Sequence, residues 1–152
     1  MSSITLAQAA TIADAALQRG RELNAAPLTV AVLDPGAQTV VLKREDGSGN
    51  LRADIASAKA WGALGMGLST RHFAGFADKY PALLASFTTL AGGRFVPAAG
   101  GVLVRNSSGM LLGAVGVSGD TPDVDEQCAL HGITAAALQA DLQPPRTRNT
   151  GS

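Results

Sequence analysis

Charge, aromatic rings and metal ligands are all scarce in this sequence. Only 16% of its 152 residues are charged, twelve of each sign, so the formal net charge is zero. That balance excludes a disordered acidic or basic tail protein. It also argues against electrostatic capture of nucleic acid, which needs a basic face. The one cysteine, Cys128, excludes an internal disulfide and suits a reducing compartment. With two histidines, His72 and His131, and no second cysteine, a four-ligand zinc site cannot be assembled, and no metal is expected. The N-terminal segment lacks the basic start of a signal peptide, and no apolar run approaches the roughly 18 residues of a membrane span. The expectation is a cytoplasmic protein without membrane or nucleic-acid partners.

What the chain has instead is small and apolar. Hydrophobic residues make up 46%, and glycine occurs 18 times, well above the usual share of about 7%. A core of Ala, Val, Leu and Ile in closely approached layers follows. So little charge for covering a surface suggests that part of it is hidden against other subunits. A homo-oligomer is expected.

Thr5 caps a first helix, with Leu6, Ala9, Ala10, Ala13 and Leu17 at helical spacing and an end near Arg21 to Asn24. Residues 28–34 and 39–44 read as strands joined across Pro35-Gly36, a hairpin. An Ala-rich helix spans Arg52 to Met66, and Thr70 starts a short helix through Phe76. The stretch from Tyr80 to Leu90 fits helix or strand, since Pro81 opens a helix but Phe87-Thr88-Thr89-Leu90 is strand-like. Residues 100–105 and 110–118 form a second hairpin. Thr121-Pro122-Asp123 opens a last helix to about Ala140. Two hairpins between helices predict an α+β fold with a mainly antiparallel sheet, as one domain over residues 1–142 and a flexible tail over 143–152.

Asp34-Pro35-Gly36, Arg44-Glu45-Asp46-Gly47, Ala58-Lys59-Ala60 and Gly113-Ala114-Val115-Gly116-Val117-Ser118-Gly119, with the Asp125 to Gly132 stretch, resemble the GlcG/HbpS family from Thr5 to Leu138. The resemblance implies a profilin-like α/β sandwich and compact oligomers, from dimer to octamer. It also implies haem as a possible cofactor, because some members bind haem through a histidine or threonine. The first helix here has no histidine, which predicts weak haem binding or binding without histidine ligation. An arginine at position 52, where many relatives have a small residue, hints at an anionic ligand.

Most chemical signals carry a packing reading beside the functional one. The Gly113 to Gly119 segment lacks GxGxxG spacing and a Walker lysine, so its glycines read as room for a helix. Asp120, Asp123, Asp125 and Glu126 read as acids placed at a helix start. Cys128 reads as a small core residue and His131 as a packed one. The set that stands out is Arg44, Arg52, Lys59, Arg71 and Arg94. Lys59 lies among alanines and therefore needs a partner, with Asp46, Asp54 or Asp34 as candidates. Alternatively the cations, with Asp46 and its loop, form a pocket for a carboxylate. Two functions follow. One is an oligomer that binds a small molecule, an organic acid or haem. The other is a cofactor-independent lyase, isomerase or hydrolase in which His72 or Asp120 moves a proton.

Overall fold

The computed structural model describes residues 2–146. Its first helix, α1 (Leu6–Glu22), starts from a capping box in which the Thr5 hydroxyl and the Gln8 side chain each accept the other residue's backbone N–H. Ala9, Ile12, Ala13, Ala16 and Gly20 recur at helical spacing and are buried. Strands β1 (Thr29–Leu33) and β2 (Thr39–Arg44) form the expected hairpin. Asp34 holds its turn by accepting the Gly36 and Gln38 amides. Helix α2 (Asn50–Met66) follows, then a 3₁₀ turn (Thr70–Phe73), α3 (Phe76–Lys79) and α4 (Pro81–Leu90). The ambiguous stretch is therefore a helix. Its strand-like threonines turn their hydroxyls back, Thr88 to the Leu84 carbonyl and Thr89 to that of Ala85.

Strands β3 (Gly101–Arg105) and β4 (Leu111–Ser118) make the second hairpin, α5 (Pro122–Ala135) follows, and β5 (Gln139–Asp141) ends the fold. All pairings are antiparallel, in the order β2-β1-β4-β3-β5. The expected last helix to Ala140 is thus corrected: it stops at Ala135. Ala137 adopts a left-handed φ of 58°, and the Leu138 amide bonds back to Ile133, which reverses the chain. The released residues pair with β3 and are fastened by an Arg105–Asp141 ion pair at 2.7 Å. Of the expected tail, residues 147–152 lie outside the described residues.

The two faces of the sheet are made differently. Val30, Val32, Val102, Val104, Val115 and Val117 pack toward α1 and α5. On the opposite face Leu33, Leu103 and Ala114 meet Ala60 and Ala63 of α2. Gly101 and Gly116 are cross-strand partners on that second face. A Cβ on Gly116 would lie 1.8 Å from the Ala56 carbonyl oxygen, and one on Gly101 would lie 2.3 Å from that of Lys59. The glycine-rich strand is therefore a seat for α2, not for the helix that follows it. Bare backbone there lets the helix settle onto the sheet.

Candidate functional site

The close seating of α2 brings Lys59 to the end of the sheet. Lys59 is only 3% exposed. Its Nζ donates to the Val117 carbonyl at 2.9 Å and to Asp125 Oδ2 at 3.2 Å. Asp125, 1% exposed, also accepts the Asp120 amide through Oδ1. Burial pulls the Lys59 ammonium below its ordinary pKa, and the Asp125 carboxylate pushes back. The partner of Lys59 is thus on α5, not Asp34, Asp46 or Asp54. The acids of the α5 start divide accordingly. Thr121 caps the helix as expected, whereas Asp125 and Glu126 turn inward.

The remaining candidates disperse. Arg44 donates to the Ser48 carbonyl at 2.7 Å and, with Arg21, Pro27, Glu45 and Asp46, lines a surface groove of about 440 Å³. Arg52 donates to Ser118 Oγ at 3.2 Å. Asp120 accepts the Ala26 and Thr121 amides, which hold its carboxyl below the usual range. Arg44, Arg52 and Lys59 therefore lie toward one end of the sheet, each with its own acceptor. Thr70, expected to cap a helix, instead accepts the Gly101 amide and donates to the Ala98 carbonyl, fixing the 3₁₀ turn on β3. That places Arg71 3.4 Å from Glu126, with His72 next in the same turn. Cys128 is buried, and burial pushes its thiol up to about 11, so it behaves as a core residue.

Arg94 borders a cleft of its own. Its guanidinium stacks over Trp61 at 4.1 Å, and its Nε donates to the Ala91 carbonyl. On one side of Trp61 is an apolar hollow of about 330 Å³ between α2 and α4, lined by Gly62, Gly65, Met66, Phe87, Leu90 and Phe95. On the other side is a more polar cleft of about 700 Å³, which Arg94, Asp54, Ser57 and Gln38 border. Trp61 is the lone tryptophan and gave no functional signal in the sequence. Only its later pairing with Arg94 makes it part of a site.

An antiparallel five-stranded sheet between one helical pair and a single glycine-seated helix defines an α+β class of domain, and the family follows from the sequence itself. The chain belongs to the HbpS-like family, described as haem degrading protein HbpS-like, whose pattern matches residues 4–134. No curated protein matches it significantly. Among solved structures it is similar to a PduOC–haem complex, at 23% identity and a TM-score of 0.80, over 90% of this chain and 97% of that one. It is also similar to the Klebsiella pneumoniae protein ORFY, at 27% identity and a TM-score of 0.80, over 90% and 92%. HbpS matches at 27% identity and a TM-score of 0.74, over 88% and 90%.

Proposed function

We propose that this protein is a small-molecule-binding protein that works as a homo-oligomer, with residues 1–142 acting as one domain. Its ligand is a molecule with a flat or elongated apolar body and a carboxylate. The observation that carries this reading is Trp61 with Arg94 above it, an apolar hollow on one side and a polar cleft on the other. Such a place buries an apolar body against aromatic carbon and offers a planar cation to an acid. Haem meets both requirements, and the family link supports it. The residues fit it in part: Arg94 would hold a propionate, and Met66 lies in the lining, but no histidine does. When bound, haem would supply iron chemistry; the residues of this chain would bury its ring and neutralise its acid.

Because Trp61 is the lone tryptophan, its fluorescence reports the groove directly. Titration with haemin, and separately with octanoate, should quench or shift it saturably for at least one of them. Arg94→Met should weaken that ligand about tenfold, the loss of one charge-assisted hydrogen bond. No change with either compound would sink the reading. A second reading, a cofactor-independent lyase, isomerase or hydrolase, draws on a different observation, the buried and unpartnered Nε2 of His72.

A further inference from the structure

Two buried side-chain atoms among the described residues have no hydrogen-bond partner, His72 Nε2 and Glu126 Oε2. They lie in one region of the fold, since Arg71, the neighbour of His72 in the 3₁₀ turn, forms an ion pair with Glu126. Glu126 is 8% exposed, so its orphaned oxygen is out of reach of bulk water. Its other oxygen meets Arg71 at 3.4 Å, an ion pair too loose to count as a hydrogen bond. Arg71 itself is nearly half exposed and forms the outer wall. Folds seldom leave buried polar atoms unmatched without a reason.

We infer that Arg71, His72 and Glu126 form a binding site for a small carboxylate, which enters together with one proton. Three donors then serve one anion. Arg71 offers its guanidinium from the solvent side, and His72 Nε2 donates as the imidazolium or as the Nε2–H tautomer. Glu126, once protonated, donates through Oε2. The arginine on Glu126 selects an anion over a cation. The proton is required because two carboxylates in contact cannot both stay ionised. Glu126 is prepared for it: burial pushes its carboxyl up, Arg71 and His72 pull it down, Asp123 adds to the rise, and the net direction is up. The charge that faces His72 from β5 is Asp141, whose carboxylate is already held by Arg105 of β3. The site is independent of the Trp61 groove.

Acetate is the probe, and the two histidines make the measurement internally controlled. In NMR titrations acetate should move the His72 ring signals saturably and leave those of His131 in place, with sodium chloride of equal ionic strength as the blank. Above the titration of Glu126, affinity should fall about tenfold per pH unit, the slope for one bound proton. Glu126→Gln keeps the shape and an N–H donor, so it should retain acetate with a flatter pH dependence. Arg71→Met, at a position nearly half exposed, should bind at least tenfold more weakly. The inference is overturned if His72 does not respond, or if both histidines move alike. It is equally overturned if Glu126→Gln leaves the pH dependence unchanged.

Discussion

Lys59 joins the two faces of the sheet, because its α2 backbone lies on one side and its partner Asp125 on the other. Removing one member of a buried pair strands the other charge, at a cost of roughly 3–5 kcal/mol. Lys59→Met should therefore lower stability by about that much in urea denaturation, and Lys59→Met with Asp125→Asn should recover part of the loss. A single mutant within about 1 kcal/mol of wild type would show that the pair is not structural. Glu126 makes a different prediction. Its carboxyl is raised from an ordinary 4.5, so in the window above that value the folded chain keeps a proton that the unfolded chain has released. Stability should decline as pH rises through that window, and thermal melts of Glu126→Gln should lack this decline. The burial of Lys59 was legible in its alanine neighbours, but its partner was not. Asp125 lies 66 residues away and sits where acids ordinarily serve a helix dipole.

At the scale of elements, the glycine seat under α2 reverses the usual sign of a substitution. Gly to Ala inside a strand generally stabilises the chain by restricting its unfolded state. Gly116→Ala should destabilise by at least the 1–3 kcal/mol of an overpacked core, because the added methyl meets the backbone of Ala56, which cannot rotate away. Gly49→Ala, with open space around it and an extended φ of −64°, is the control and should lose only the N-cap preference for glycine over alanine, about 1 kcal/mol or less. The hairpins and α1 were legible because their signals are local: a capping box, a Pro-Gly turn, an alternation of valine with small residues. Strand β5 was not. Gln139-Ala140-Asp141 has no alternation of its own, and the reversal at Ala137 follows from the docking of the chain against β3.

For the molecule as a whole, α4 is the most unusual surface. Pro81–Leu90 contains no charged residue and fully buries none of its side chains, with Leu84 and Phe87 packing partly against the chain, and Leu90 is 85% exposed. Isolated apolar side chains on a surface are ordinary, but an uncharged helix beside an apolar hollow suits contact with another copy. Light scattering of the wild type should give a multiple of the chain mass. Leu90→Glu, which places a charge at the edge of that patch, should shift the population toward the monomer. An unchanged mass for Leu90→Glu would place the subunit contact elsewhere.

The strand order also sets a clock on the birth of the molecule. β1 is flanked in the sheet by β2 and β4, and β4 ends at Ser118, about 85 residues further along the chain. At synthesis rates of roughly 5–20 residues per second, β1 waits about 4–17 s, and α2 about 3–10 s, before β4 is complete. During that interval the valines of β1 and the alanines of α2 have no floor to settle on, and the hairpin alone is too small to be stable. Truncated chains ending before Leu111 should therefore remain bound to chaperones or be degraded, while chains that extend past Ala135 fold.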